Sequence, residues 1–362
     1  MKIGDREYTR AQVLERVGSI NQLAGTRHSI LSDGRSKGIA AVDVDTGSGL
    51  RFTVLPDRGL DISLASFKGT SLVYLTPNGE VPPAFYEPQG PGWLRTFFAG
   101  LLTTCGLTYF GAPGKDASDE LGLHGRYSAS PAARVCDLSR WEGDEYRIEL
   151  TGVVEECTLF GDKVRLTRTI STTTGSKSLA ICDVVENFGY RSSPFTILYH
   201  INPGFPLLDE NSRLLLTAGE TRPHDERSAL AVESCRAFTS PVHGFDEENF
   251  LHVMRSDSNS FAHAAMINPR LHGGLGLYVR FDTSTLPYLN EWKMMGQGDY
   301  VVGMEPCNAP CQNRGILRAR GLLPFLEPGE IRRMRLEIGV VEGASEIARL
   351  TEQMESAPGA GS

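Results

Sequence analysis

RYSASPAARVCDLSRWEGDEYRIELTGVVEECTLFGDKVRLTRTISTTTGSKSLAICDVVENFG, residues 126–189, decides the fold class of this 362-residue chain. Its runs of Val, Ile, Thr and Tyr are separated by Glu-Gly-Asp, Phe-Gly-Asp and Thr-Gly-Ser, which are turn sequences. At least five strands are predicted here, spaced by about 10–14 residues. Because no segment of helical length lies between them, the strands are expected to form meandering antiparallel sheets rather than βαβ units.

The same pattern continues on both sides of this stretch. Residues 39–55, IAAVDVDTGSGLRFTVL, predict a hairpin around a Gly-Ser-Gly turn. Further strand-like runs are FTILYHIN, SRLLLTA, HAAMINP, GLGLYVRFD, YVVGMEP and RRMRLEIGVV. Neither a linker nor a fixed-period repeat divides the β region. The predicted fold is therefore all-β with minor helices, and its core is one large antiparallel β-sandwich.

A single sandwich domain is expected over residues 31–343. Residues 1–30 are expected to be a helical or extended lead-in, because Thr9 is a candidate N-cap and apolar residues recur after it at helical spacing. Residues 344–362 are expected to form a C-terminal helix, ASEIARLTEQMES, followed by a frayed tail.

Composition narrows the range of partners. The chain has 44 Asp and Glu against 36 Lys and Arg, a formal charge of −8, which disfavours a nucleic-acid partner. Its seven cysteines are scattered, as in a reduced cytoplasmic protein. Only Cys307 and Cys311 lie close together, and no second ligand pair accompanies them, so no metal site is predicted. The chain has no apolar signal region and no 18-residue apolar run, so neither classical export nor a membrane partner is expected.

Two arginines in turn-rich or apolar surroundings are candidates for binding. Arg58, in VLPDRGLDIS, either pairs with Asp61 to pin a hairpin or contacts a substrate. Arg95, in GWLRTFF, needs an acceptor because burial of an unpaired guanidinium is costly. An internal carboxylate or a ligand hydroxyl would serve equally.

Two histidines, an asparagine and a glutamate stand near predicted strand ends. His124, in LGLHGRYSASPA, faces a cleft or is an ordinary structural histidine. Strand alternation places His200 and Asn202 on one face just before a Pro-Gly break, as part of a site or of a hydrogen-bonded core. Glu305 ends an apolar run before Pro306, where partial desolvation would raise its pKa towards that of a general base. The alternative is a glutamate bonded to a neighbouring amide.

The common catalytic motifs are missing from the sequence. It contains no G-x-S-x-G, Walker A or H-E-x-x-H, and no G-x-G-x-x-G between a strand and a helix. A His/Glu acid–base site without metal or cofactor is therefore the simplest enzyme hypothesis.

The motifs VLPDRGLDIS, FFAGLLTTCGLTYFG, LHGRYSASPA, LYHINPGFPLL and GMEPCNAP follow one another between residues 54 and 310. In this order, on an all-β chain, they resemble the aldose 1-epimerase (galactose mutarotase-like) superfamily, and within it the DUF4432 branch. The resemblance implies a mutarotase-type sandwich with a sugar in a cleft. It also implies that Glu305 is the general base, His200 the general acid, His124 a second site histidine and Arg95 a ligand of a sugar hydroxyl.

The expected activity is interconversion of sugar anomers, with no cofactor. A base removes the proton of the C1 hydroxyl while an acid protonates the ring oxygen, so that the ring opens and can close on the other face. Further sugar contacts are expected from Arg58, Asn202, Trp292 and Lys293, and stacking from Trp292 or from Trp93, Phe97 or Tyr127. Two alternatives stay open: a non-catalytic sugar-binding protein, and an isomerase or epimerase of keto- or acidic sugars. The expected partner is a small sugar, and a homodimer is left open.

Overall fold

Short and long antiparallel strands are the main secondary structure of the chain, and the computed structural model describes them over residues 1–3 and 6–356. The strands of the first half are β1 (Lys2–Ile3), β2 (Arg6–Glu7), β3 (Gly25–Ile30), β4 (Ala40–Asp45), β5 (Leu50–Leu55), β6 (Asp61–Phe67), β7 (Thr70–Ser71), β8 (Thr103–Leu107), β9 (Gly114–Asp116), β10 (Asp119–Leu121), β11 (Ala133–Asp137), β12 (Arg140–Glu142), β13 (Glu145–Cys157) and β14 (Lys163–Thr173). Those of the second half are β15 (Ser178–Asn187), β16 (Ser193–Pro194), β17 (Thr196–His200), β18 (Arg213–Leu216), β19 (Ala218–Pro223), β20 (Glu248–Met254), β21 (Phe261–Asn268), β22 (Leu275–Asp282), β23 (Tyr288–Met295), β24 (Tyr300–Cys307), β25 (Phe325–Leu326) and β26 (Ile331–Glu342).

Three larger sheets carry the fold. The first has nine strands, in the order β11-β13-β14-β15-β26-β22-β21-β18 with β12 beside β13. The second has six, β19-β20-β23-β24-β17-β8, and the third has five, β3-β4-β5-β6-β7. One continuous hydrophobic core takes side chains from all three, such as Leu150, Met304 and Val54. The antiparallel β-sandwich predicted from the sequence is confirmed.

Local pattern located 13 of the 26 strands of the described residues. The stretch 126–189 forms β11 to β15, and the predicted hairpin over 39–55 is β4 and β5. In β13, Ile148, Leu150 and Val154 are buried, while the alternate residues are more exposed, because successive side chains point to opposite faces of a sheet. The six other predicted runs coincide with β17, β18, β21, β22, β24 and β26.

Four helices lie at the ends and between strands of the described chain: α1 (Arg10–Leu14), α2 (Glu226–Ala231), α3 (Arg314–Ala319) and α4 (Gly343–Glu355). Thr9 caps α1 with a capping box, as predicted. Within the predicted lead-in, residues 1–30, the strand β3 follows α1 and pairs with β4, so the end of the lead-in joins the five-stranded sheet. The predicted C-terminal helix is α4, and the predicted frayed tail at 357–362 lies outside the described residues. No helix of the described ranges has the length and apolar character needed to cross a membrane.

A buried charged network joins the sheets beneath the six-stranded one. Arg168 on β14 donates to Asp183 on β15 and to Asp61 on β6, with the shortest N–O distances at 2.7 and 2.9 Å. Thr104 on β8 donates to Asp61, and the Tyr199 hydroxyl on β17 donates to Asp183. All of these side chains are fully buried. The network therefore anchors β17 one residue before His200.

Candidate active site

Three neighbouring strands of the six-stranded sheet present the candidate site on one face. β24 pairs with β23 in a register that sets Glu305 opposite Asn290, and β17 lies on the other side of β24. Side chains opposite one another share a face of the sheet, and so do residues two apart on one strand. Asn290 and Trp292 on β23 therefore lie on the face that carries Glu305.

Glu305 and His200 form the centre of this face. Nε2 of His200 lies 3.1 Å from Oε1 of Glu305, and the Asn290 amide donates to Oε2 of Glu305 over 2.7 Å. The two side chains are 5% and 2% exposed, so bulk water is excluded from them. Gly303 makes room for this arrangement, since a Cβ built on it would fall on Oε1 of Glu305.

His124 approaches from a loop in front of the sheet. Its ring lies edge-on to the His200 ring, with 6.1 Å between the centroids. The backbone of His124 is left-handed, with φ of 56°, and Gly125 after it also has positive φ. A Cβ on Gly125 would meet the carbonyl oxygens of Tyr109 and Gly106, so the His-Gly pair is required by close packing as well as by φ.

Aromatic side chains enclose the polar centre. The Phe97 ring lies 5.2 Å and the Trp292 ring 5.4 Å from the ring of His200, and Trp93 lies 4.7 Å from His124. Trp93 and Phe97 stack on each other at 4.4 Å. The short 3₁₀ helix Gly92–Arg95 and the residues after it supply these two rings. An apolar lining with a few convergent polar groups is the usual composition of a small-molecule site.

Burial sets the protonation of the acid–base pair. It raises the pKa of Glu305 to about 8, with the charges of Glu247 and Glu291 adding to the rise and the Asn290 hydrogen bond opposing it. It lowers the pKa of His200 to about 3, assisted by His124. Burial likewise lowers the pKa of His124 to about 4. At neutral pH the ligand-free pair therefore holds one proton, which lies on Glu305.

Several buried polar atoms at this centre have no hydrogen-bond partner among the described residues. They are Nδ1 of His124, Nδ1 of His200, Oδ1 of Asn202 and Oε1 of Glu305, whose close approach to His200 lacks the alignment of a hydrogen bond. Buried polar groups are nearly always paired in folded proteins, so an unpaired group calls for an explanation. Four unpaired atoms in one place favour a site that completes its hydrogen bonds with a ligand.

The structure brings five of the eight predicted site residues together. Glu305, His200, His124 and Trp292 form the site, and Asn202 supports His200 from behind. The amide of Asn202 donates to the carbonyl oxygens of His200, at 2.8 Å, and of Gly100, at 3.0 Å.

The remaining three predicted contacts lie elsewhere. Arg58 is buried and donates to the carbonyl oxygens of Ser128, Val81 and Thr96, so it is available neither to a substrate nor to Asp61. The Arg95 side chain is 71% exposed and pairs with Glu87 at 3.2 Å. Lys293 follows Trp292 on β23, so it points to the opposite face, where it pairs with Glu248 at 3.4 Å.

Sequence reasoning missed two residues of the site. Asn290, whose amide donates to Glu305, lies on β23. It is one of several polar residues of that strand, so it did not stand out in the sequence. Glu247 lies outside any motif, yet its carboxylate accepts a 2.7 Å hydrogen bond from the Trp292 indole. The cross-strand register of β23 and β24 reveals Asn290, and the hydrogen bond from the Trp292 indole reveals Glu247.

Comparison with known proteins agrees with this fold. The family model described as "Domain of unknown function (DUF4432)" matches residues 36–340. The chain belongs to the DUF4432 family. No curated protein matches it in sequence. This DUF4432 protein is similar to a solved structure of a proposed aldose 1-epimerase from Klebsiella pneumoniae, with 25% identity and a TM-score of 0.88 over 93% of this chain and 88% of that one.

Two more distant structures share the fold of the DUF4432 chain. One is a galactose mutarotase-like protein from Clostridium acetobutylicum, with 15% identity and a TM-score of 0.60 over 89% of this chain and all of that one. The other is a galactose 1-epimerase from Lactobacillus acidophilus, with 12% identity and a TM-score of 0.56 over 88% and 99%. These matches establish the galactose mutarotase-like fold.

Proposed function

We propose that this DUF4432 protein is an aldose 1-epimerase-type isomerase, which interconverts the anomers of a sugar by proton transfer through Glu305 and His200. The observation that carries the proposal is the convergence of the two buried groups, 3.1 Å apart, on a site lined by aromatic rings. The similarity to the proposed aldose 1-epimerase from Klebsiella pneumoniae supports it.

Ring opening needs one acid and one base, and the pair carries the single proton that this requires. In the empty site that proton lies on Glu305, because burial disfavours both charged forms. A sugar hydroxyl donates a hydrogen bond to a carboxylate, and a ring oxygen accepts one from an imidazolium. Sugar binding therefore favours transfer of the proton to His200, which makes Glu305 the base and His200 the acid.

The proposed reaction then runs in four proton steps. Glu305 takes the proton of the C1 hydroxyl, and His200 gives its proton to the ring oxygen as the bond between C1 and that oxygen breaks. The open aldehyde rotates about C1–C2, and both transfers reverse as the ring closes on the other face. His124 is placed to hydrogen-bond a neighbouring hydroxyl, and Trp292 offers an apolar surface to the sugar.

The test is anomer exchange measured by saturation-transfer NMR over a panel of sugars. Glu305→Gln keeps the shape of the side chain but cannot move a proton, so kcat/KM is expected to fall by about 10²–10⁴-fold. Glu291→Gln is the matched control: Glu291 lies next to Asn290 but on the opposite face, where it contacts His252 at 3.0 Å, so its loss should lower the pKa of Glu305 without removing the proton carrier and should largely keep activity.

Each outcome bears on the proposal. Loss of exchange in Glu305→Gln, with activity kept in Glu291→Gln, supports it. Unchanged exchange in Glu305→Gln contradicts the assignment, and sugar binding without exchange in the wild type indicates a sugar-binding protein instead. Incorporation of solvent deuterium at carbon indicates an isomerase that abstracts a C–H proton.

A further inference from the structure

A cavity of about 240 Å³ lies beside the proposed acid–base pair. Asn290 lines it and also donates to Glu305, so a ligand in the cavity is one side chain away from that carboxyl. Cys311 lines it as well, and burial, with the nearby Glu305 charge, raises the pKa of that thiol. The other lining residues are Arg222, Pro223, His224, Leu251, Pro310, Gln312, Arg320 and Leu322.

The charged side chains that line this cavity are basic. Arg222, His224 and Arg320 line it, and none of the described residues that line it is acidic. Gln312, which is neutral, accepts a hydrogen bond from Nη1 of Arg320 at 3.0 Å. The carboxylate of Glu220 accepts hydrogen bonds from Nε and Nη2 of Arg222 at 2.8 and 2.7 Å. Nη1 of that guanidinium remains for another acceptor.

We infer that this cavity is a subsite for an anionic group on the sugar, a phosphate or a carboxylate remote from C1. A guanidinium presents a fork of N–H donors that matches either group, and Arg320 has its fork free of any carboxylate among the described residues. The inference rests on the proposed function, because it takes C1 to lie at Glu305 and His200 while the acidic group points past Asn290 towards Arg320.

Other cations near the site do not fill this role. Arg58 is committed to three carbonyl oxygens, Arg95 to Glu87, and Lys293 to Glu248 on the far face of the sheet. Glu247 at the Trp292 indole adds negative charge near both Glu305 and Cys311. Arg222, His224 and Arg320 are the basic side chains that line the cavity, and they are placed to receive an anion.

The experiment compares three sugars of one hexose series: the neutral hexose, its 6-phosphate and its uronic acid. The wild type is expected to exchange the anomers of one acidic sugar with kcat/KM at least about 10-fold above the neutral one, and the better acidic sugar distinguishes phosphate from carboxylate. In Arg320→Gln the ratio of acidic to neutral kcat/KM is expected to fall by about 10- to 100-fold, since a hydrogen bond to a charged group is lost. Arg222→Gln should lower it less.

Arg51→Gln is the matched control. Like Arg222, Arg51 is an exposed strand arginine paired with a carboxylate, that of Asp45 at 2.7 Å, but it lies on the five-stranded sheet. A preference that survives Arg320→Gln overturns the subsite, and so does equal turnover of neutral and acidic sugars, which leaves the proposed function intact. If no sugar is exchanged, the proposed function fails. Calorimetric titration then decides the subsite, because binding selective for an acidic sugar and lost in Arg320→Gln supports it and unselective binding overturns it.

Discussion

Nε2 of His200 and Oε1 of Glu305 lie 3.1 Å apart in a site that withholds water from both. Burial spreads the two pKa values to about 3 and about 8, whereas the ordinary order is 4.5 for a glutamate and 6.5 for a histidine. The pair therefore keeps one proton over a wide pH range, and the proposed reaction uses that proton after sugar binding has moved it from Glu305 to His200.

The pH dependence of anomer exchange follows from these values. We expect kcat/KM, corrected for spontaneous exchange, to be level from pH 6 to 7.5 and to fall about tenfold per pH unit above pH 8, as the pair loses its proton. A pair with ordinary pKa values would already lose activity above pH 6.5. A decline that begins near that pH contradicts the proposed burial of the pair in the working enzyme.

The stability of the protein should also depend on pH through the raised pKa of Glu305. The pKa of Glu305 is higher in the folded than in the unfolded chain, so its contribution to stability is fully present below about pH 4.5 and is lost as pH rises through about 8. Gln does not ionise. The melting temperature of Glu305→Gln minus that of the wild type is therefore expected to increase from pH 5 to pH 9.

Glu149 provides a control of opposite sign. Burial alone would raise the pKa of Glu149, but the hydrogen bonds that it accepts from Arg147 and Arg140 outweigh burial and lower this pKa. Its contribution is present above its unfolded pKa and is lost as pH falls. Glu149→Gln should therefore lower the melting temperature near pH 7 and have less effect in acid. If both variants respond to pH alike, the assigned protonation of Glu305 is wrong.

Local sequence pattern was sufficient for the fold class and for selecting His200 and Glu305 as candidates, whereas their roles came from the family resemblance. Strand periodicity located β17 and β24, and the polar residues near their ends, His200 and Glu305, stood out against apolar neighbours. Their mutual approach was not predictable from the spacing, because it depends on the pairing of strands about a hundred residues apart in sequence.

The errors concern which face a side chain takes and what it pairs with. Trp292 and Lys293 were both expected at the sugar, but neighbours on one strand point to opposite faces. Arg58 was a predicted partner of Asp61, but the cation that pairs with Asp61 is Arg168, which reaches it from β14 across the core. Sequence identifies residue types that need partners, and only tertiary packing selects the partner.

Gly303 should be essential for the position of Glu305. Its φ is not in the left-handed region, so alanine is compatible with the backbone, but the added methyl would occupy the place of Oε1 of Glu305. We expect Gly303→Ala to fold normally and to lose about 10²-fold in kcat, since a displacement of about 1 Å has this effect on a reacting group. Gly18→Ala, which adds a methyl in open space, should keep full activity. Normal exchange in Gly303→Ala would show that the carboxyl does not act from its observed position.

Arg168→Met tests the network that anchors β17. The substitution leaves Asp61 and Asp183 buried without their cation, and removal of one partner of a buried ion pair costs about 3–5 kcal/mol. Urea unfolding is expected to show this loss, and the added changes Asp61→Asn and Asp183→Asn should recover part of it, because they remove the uncompensated charges. Arg165→Met on the same strand is the control: its side chain is 28% exposed and its nearest carboxylate, on Glu186, is 3.4 Å away, so the expected cost is at most about 1 kcal/mol. Equal losses in Arg168→Met and Arg165→Met would mean that the network does not support β17.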